Sequence, residues 1–289
     1  MREVVAALVP RPRGCFLDAT VGSGGHAEAL LTAGGPDAAL WGLDVDAEAL
    51  AQARDRLQRF GERVTLIQGR YELLADLLPA DLRFDGILFD LGASSLQFDD
   101  AHRGFSFSRE GPLDMRMDRS RGSTAAELLQ RLSERELAEV IYRWGEERFA
   151  RRIARAVLEA GRREPIRTTT ILAEVVAAAV PRGKWPRHIH PATRTFQALR
   201  IAVNQELAGL GQALEAAAGR LTPGGRMAAI GFHSLEDRIV KQTFRQLQAT
   251  GAARLLTKRP ATAAADETAA NPRARSAKLR VLERPAGED

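Results

Sequence analysis

The chain reads as an α/β fold, a parallel sheet with helices on its faces, interrupted once by an all-α insertion. Three observations predict it. Strand and helix patterns alternate over roughly the first hundred residues. The alternation stops near Gly104, and only helical periodicity and loops follow as far as Thr195. A strand pattern then returns at Arg226.

In order, Phe16–Val21 is the first predicted strand and His26–Thr32 its helix. Ala39–Asp44 is the second strand, followed by a helix over Ala47–Phe60. Arg63–Gln68 is the third strand and Phe84–Asp90 (FDGILFD) the fourth, apolar and ending on an acid. In the insertion, Thr124 with Glu127 and Ser133 with Glu136 form candidate capping boxes. The run RWGEERFARRIARAVLEAGRRE is helix-periodic, and the helix Thr170–Val180 stops at Pro181. Beyond it, Phe196–Leu221 reads as one long helix, Thr222 to Gly225 as a turn, and Arg226–Phe232 as a strand. Ser234–Gln248 reads as a helix capped by Ser234. Ala253–Thr257 and Lys278–Arg284 suit an antiparallel edge pair, and the Ala/Pro/Arg-rich Lys258–Ser276 between them reads as mobile. The domains expected are therefore a discontinuous core, 1–105 with 195–289, and a helical insertion, 106–194.

Composition limits the function. The 289 residues suffice for a core carrying a second domain. No run approaches the ~18 apolar residues of a membrane span, and MREVVAALVPRPRG lacks a signal-peptide cleavage pattern. Cys15 is the single cysteine, which excludes a disulfide framework and a cysteine-built metal site and fits a reducing cytoplasm. The net charge is +5, but the basic residues are nearly all arginine and concentrate in two acid-free blocks, Arg182 to Arg200 and Asn271 to Arg280. A GC-rich source explains the choice of arginine better than it explains the clustering. The first block suits RNA backbone.

FLDATVGSGGHAEALL (Phe16 to Leu31) places Gly22, Gly24 and Gly25 between a strand and a helix, as in nucleotide-binding turns. Asp44 ends the next strand, where a carboxylate can accept both hydroxyls of an adenosine ribose, while Asp46 is better placed to cap the following helix. NAD-type cofactors and S-adenosylmethionine (SAM) both fit this pattern. Asp18, just before the turn, would repel a pyrophosphate but suits the ammonium and sulfonium of SAM, so SAM is the better ligand. His26, at the helix start, suits a cap or a ligand contact better than a general base.

Methyltransferases acting on exocyclic amines of bases usually carry an Asp/Asn-Pro-Pro-aromatic tetrad after the fourth strand. Here that place reads Asp90-Leu91-Gly92-Ala93, with the acid kept and the prolines absent. Asp90 could accept from an amino group, and Gly92 leaves room for a base.

DATVGSGGH, FDLGASSLQFD, RGFSF with GPLDMRMD, HPATRTFQALRIAVNQEL, GFHSLEDRIVK and NPRARSAKLRVLER together resemble one family nearly end to end, the bacterial 16S rRNA cytosine-N4 methyltransferases called RsmH or MraW. The resemblance implies a Rossmann-like SAM-dependent methyltransferase core with an inserted all-α domain. It implies methylation of the N4 amine of one cytidine in the decoding region of 16S rRNA, with the small ribosomal subunit as partner. Carried over by motif, the cofactor contacts are Gly24, Gly25, His26, Asp44, Tyr71, Asp90 and Gln97, with Tyr71 near the adenine; Asp90 is the expected catalytic residue, and no metal is expected. A DNA amino-methyltransferase, a non-catalytic assembly factor and a dehydrogenase are the competing readings. Oligomeric state is left open, a homodimer included.

Other residues are ambiguous in sequence. His188 and His190 form an H-x-H without a nearby acid or cysteine, which disfavours a metal site. Trp185, amid Lys184 and Arg187, suits stacking on RNA or packing between domains equally. Asp114, Arg116 and Asp118 suit a cleft lining or a buried salt-bridge turn.

Overall fold

The buried apolar runs become strands of one sheet in the computed structural model, which describes residues 1–186 and 188–286. The chain opens with α1 (Arg2–Leu8) and β1 (Cys15–Asp18), then α2 (Gly25–Gly34), β2 (Ala39–Asp44), α3 (Ala47–Leu57), β3 (Val64–Gln68), α4 (Leu74–Leu77) and β4 (Phe84–Asp90). A helical stretch follows, with α5 (Ser95–Asp99), α6 (Ala125–Arg131), α7 (Glu134–Gly145), α8 (Ala150–Arg163), α9 (Thr169–Ala179) and α10 (Thr193–Asn204). The chain ends with α11 (Leu210–Ala218), β5 (Leu221–Gly231), α12 (Ser234–Ala249), β6 (Arg254–Leu255), β7 (Ala261–Thr262), α13 (Ala265–Ala270) and β8 (Lys278–Glu283).

Two compact units result, Met1–Gly92 with Leu207–Asp289, and Ala93–Glu206. In the first, the strand order is β3-β2-β1-β4-β5-β8-β6, with β7 also on β8. The strands β1 to β5 are parallel, and β8 runs antiparallel to β5, β6 and β7. Both faces are covered, so alternate residues enter different cores. Phe16 and Leu88 face α1, α2 and α3, while Leu17, Ile87 and Phe89 face α11 and α12. This two-sided burial is why FDGILFD is nearly continuous in apolar residues.

The helical unit is wider than the sequence boundaries of 106 and 194. Residues on either side of the expected insertion belong to it, including all of α5 and α10. Gly145 at the end of α7 meets α10 so closely that a Cβ there would stand 2.6 Å from the Arg194 carbonyl oxygen. An amphipathic pattern reveals that a helix buries one face but not against which core. The predicted helix Phe196–Leu221 is two helices, because Gln205 adopts the left-handed conformation (φ 53°) after α10 and Gly209 (φ 72°) starts α11. Likewise Glu146 (φ 48°) ends α7, so the predicted run from Arg143 contains the tail of α7, a loop and α8. The left-handed residue that ends each helix is a non-glycine, Gln205 or Glu146, although a glycine lies nearby in each case, Gly209 starting α11 and Gly145 ending α7.

Smaller differences have local causes. The strand pairing jumps from Phe84↔Leu221 to Gly86↔Arg226, so the expected turn at Thr222 to Gly225 is an irregularity within β5. The N-cap of α12 is His233, not Ser234: His233 Nδ1 accepts from the Glu236 N–H at 3.4 Å, and Glu236 Oε2 accepts from the His233 N–H at 3.3 Å. Segment Lys258–Ser276, expected to be mobile, carries β7 and α13. The helix α1 was absent from the sequence reading; it buries Val4 and Leu8. The capping boxes at Thr124 and Ser133 form as predicted on α6 and α7.

Within the helical unit, the loop after Gly111 is pinned from several sides. Met115 is fully buried with a left-handed backbone (φ 64°). The Asn204 amide donates to the Met115 carbonyl at 2.8 Å and accepts from the Met117 N–H at 2.7 Å. The buried Arg103 donates to the carbonyls of Arg116 and Met117 at 3.1 and 3.0 Å. Arg116 grips Asp114 with two hydrogen bonds of 2.7 and 2.9 Å, and Asp118 pairs with Arg121. Asp114 and Arg116 thus form a buried salt-bridge turn.

Candidate active site

Three neighbouring parallel strands end on carboxylates at the same edge of the sheet, Asp18 on β1, Asp44 on β2 and Asp90 on β4. In strand order, β1 has β2 on one side and β4 on the other, the point where the connections reverse direction and where open α/β sheets bind ligands. The turn leaving β1 is tied to both neighbours: Ala19 N donates to Leu88 O at 2.9 Å and Val21 N to Leu43 O at 2.8 Å.

Gly22 and Gly24 both take positive φ, and Gly24 is the N-cap of α2. At Gly24 (φ 83°) a Cβ would also stand 3.3 Å from Leu57, so this glycine lets α2 and α3 approach. Asp44 braces the turn from below, accepting from Gly22 N at 2.8 Å and from Asp46 N at 2.9 Å. Asp46 caps α3 by accepting from Glu48 N at 3.0 Å, as the sequence predicts. Thr20 links the turn to β4, its Oγ1 accepting from the Asp90 N–H at 2.7 Å. The sequence reading gave Thr20 no such part, since nothing local marks a contact between such distant positions.

His26, in the first turn of α2, places Nε2 at 3.4 Å from Asp90 Oδ2. The other atoms of the pair, His26 Nδ1 and Asp90 Oδ1, are buried without a hydrogen-bond partner. A buried polar atom left unmatched costs free energy, which makes these two atoms candidates for pairing with a water or a ligand.

Burial dominates the titration of two of these acids. Burial pushes the Asp18 carboxyl up to about 7, with His26 and the Thr20 N–H opposing and Asp90 and Asp44 reinforcing the shift. Burial likewise lifts Asp44 to about 6 against the N–H groups of Asp46 and Gly22. For His26, burial pulls the imidazole down, but its hydrogen bond with Asp90, that carboxylate's charge and Asp18 carry it above its ordinary value. Buried acids that hold protons near neutrality welcome a cationic ligand.

Tyr71 follows β3 in a short turn, its ring set edge-on to Phe89 at 5.9 Å, and Gly69 N donates to Asp44 O at 2.9 Å. It therefore belongs with the Asp44 and Asp90 strand ends. Gln97 belongs to the other unit, is 3% exposed, and accepts from Ser94 N at 3.0 Å in the capping box of α5. Trp185 donates from its indole nitrogen to Val180 O at 3.0 Å, and His190 uses Nδ1 to accept from Ala192 N at 3.2 Å. Arg187 lies outside the described residues.

Two of the five Lys/Arg residues in the acid-free block Arg182 to Arg200 pair with acids. Arg200 binds Glu206 through two hydrogen bonds of 2.9 and 2.8 Å, both side chains largely buried, and Arg194 lies 3.7 Å from Glu147. In the second block, Arg280 is held by Asp237 at 2.7 Å, while Arg273 and Arg275 are exposed.

Comparison with known proteins gives the fold and the family. A solved structure of a candidate rRNA methylase from Clostridium thermocellum shares the fold, with a TM-score of 0.50 at 13% identity over 98% of this chain and 95% of its own. The protein named ribosomal RNA small subunit methyltransferase H from Trichlorobacter lovleyi is 50% identical over 98% of this chain and 96% of its own length. Its namesake from Syntrophotalea carbinolica is 51% identical over 98% and 95%. The sequence model described as the MraW methylase family matches residues 1–285. With that match and these identities, the chain belongs to the MraW methylase family.

Proposed function

We propose that this chain transfers a methyl group from SAM to the exocyclic N4 amine of a cytidine in small-subunit ribosomal RNA. The observation that carries the reading is the buried, unpartnered Asp90 Oδ1 at the end of β4, beside a glycine turn ringed by buried acids. Relatives named as small-subunit rRNA methyltransferases support the RNA substrate, and the acid at position 90 supports an amine as the acceptor.

The residues fit the cofactor. A ligand bearing an ammonium and a sulfonium meets Asp18 and Asp44, and the Gly22 to Gly25 turn lets backbone approach it. Asp44 suits the ribose, Tyr71 the adenine side and His26 the methionine end; for Gln97 the family resemblance is the sole support. When bound, SAM supplies an electrophilic methyl group.

The protein's part is positioning. Cytosine N4 is a weak nucleophile because its lone pair is shared with the ring. Accepting a hydrogen bond from N4–H, Asp90 Oδ1 would favour the pyramidal attacking form and stabilise the charge that develops on nitrogen. Thr20 fixes the Asp90 backbone and His26 its second oxygen, so the free oxygen has one direction to point. The helical unit Ala93–Glu206 takes the role of substrate recognition.

The test is direct. The chain is incubated with methyl-labelled SAM and small subunits from cells lacking the modification, and the rRNA is digested for mass spectrometry. N4-methylcytidine is the expected product; its absence with SAM bound, or a methylated DNA amine instead, overturns the reading.

A further inference from the structure

The helix α8 carries a ridge of arginines that the fold does not need. Its sequence ARRIARAVLEAGRR, preceded by Arg148, buries Ile153, Ala154 and Val157 and leaves Arg151, Arg152, Arg155, Arg162 and Arg163 exposed. Spacings of three and four residues set Arg151, Arg152 and Arg155 on one side of the helix, over little more than one turn, while Arg148 lies in the turn before the N-cap Phe149.

Three features make this more than a solvated face. First, an exposed helical face gains by alternating signs, as Glu139 and Arg143 do on α7. Here Arg151 and Arg155 are like-charged at four-residue spacing within the helix, which is destabilising. Second, the first turn of α8 holds two arginines and no acid, and its N-cap, Phe149, makes no side-chain cap. Positive charge there opposes the helix dipole. Third, Arg151, Arg152, Arg162 and Arg163 have no ion pair among the described residues; only Arg155 leans on an acid, Glu134 at 3.4 Å. Glu159 lies within the helix and Glu164 just after it; before it, the buried Glu147 accepts from the N–H of the N-cap Phe149 at 2.8 Å and is 3.7 Å from Arg194. The use of arginine rather than lysine is chain-wide and carries no weight, but the one-sided placement, set on a rigid buried face, does.

We infer that the α8 ridge is a docking surface for RNA phosphates, an inference that rests on the rRNA reading above. Charge that lowers helix stability, most of it without an ion pair among the described residues, suits a polyanion, and a planar guanidinium binds phosphate through two donors. The arginines would neutralise backbone charge without reading sequence, anchoring the RNA while other groups select the nucleotide.

The experiment compares the full-length chain with R151Q/R152Q/R155Q, titrating a small-subunit rRNA transcript over a series of salt concentrations. For the variant, the slope of log affinity against log salt is expected to be shallower by about two to three, with correspondingly weaker binding at low salt. Its Tm and SAM affinity are expected to be unchanged or higher, because unfavourable charge has been removed. R151K/R152K/R155K keeps the charge and is expected to keep most of the slope. A wild-type slope in the Gln variant overturns the inference while leaving the rRNA reading intact. Absence of salt-dependent binding by the unaltered chain to both the transcript and the assembled subunit overturns both. Binding to assembled subunits but not to the transcript points to a ribosomal protein and also overturns it.

Discussion

His26 Nε2 stands 3.4 Å from Asp90 Oδ2, which engages one carboxylate oxygen and leaves the other buried without a hydrogen-bond partner. If the two act as a unit, their losses do not add. Asp90→Asn is expected to lower kcat by about 10²-fold or more at saturating SAM and RNA. His26→Ala should lower it less, and the double variant no further than Asp90→Asn alone. Single-turnover rates of the three variants check this.

The buried acids give the apo chain a pH dependence of unusual sign. Asp18 and Asp44 have folded-state values raised to about 7 and about 6, and that of His26 is raised as well. A raised value means the folded state holds protons that the unfolded state releases. The stability from those protons is complete below the unfolded pKa, near 4 for the acids, and lost as pH rises through 6 to 7. Tm of the apo chain should therefore fall between about pH 5 and 8, and Asp18→Asn should flatten the decline.

Cofactor binding follows from the same groups. Cationic groups beside Asp18 lower its proton affinity, so SAM binding near neutral pH should release protons. Calorimetry in buffers of different ionisation enthalpy measures the number released. Asp18→Asn should reduce it and weaken SAM binding.

Gly24→Ala meets both a left-handed backbone and Leu57. The conformation alone costs about 1–2 kcal/mol, and the shifted turn should weaken SAM binding further. Urea unfolding and a SAM titration separate the two effects.

In the helical unit, Asn204→Ala strands the carbonyl of Met115 and the N–H of Met117. A loss of ~1–3 kcal/mol for each orphaned group is expected by urea unfolding. The left-handed Met115 should relax with it, seen as faster amide exchange over that loop.

Much of this was legible in the residues. The β1 to β4 runs, the glycine turn and the acids at three strand ends could be read directly, because two-sided burial and turn chemistry are local. The Thr20 and His26 contacts to Asp90 could not, since they join positions linked only through the sheet. Nor could the left-handed Glu146 and Gln205, whose conformations are imposed by packing. The acid-free stretch Arg182 to Arg200 drew attention as the RNA contact, yet charge counting cannot see that Arg200 is bound to Glu206. A cluster of arginines without ion pairs among the described residues does lie on α8, where Glu159 and Glu164 hid it from a search for acid-free blocks.

The pairing of β4 with β5 bears on how the protein is made. The whole helical unit separates these strands, so on the order of 130 residues must follow Asp90 before Leu221 is translated. At ~5–20 residues per second that is on the order of ten seconds during which the nascent β4 has one bare edge. The helical unit, continuous in sequence, can complete itself in that interval, while the sheet must wait for the last third of the chain. A destabilised β4, such as one with Ile87 cut back to Ala, should therefore betray itself first as aggregation during synthesis.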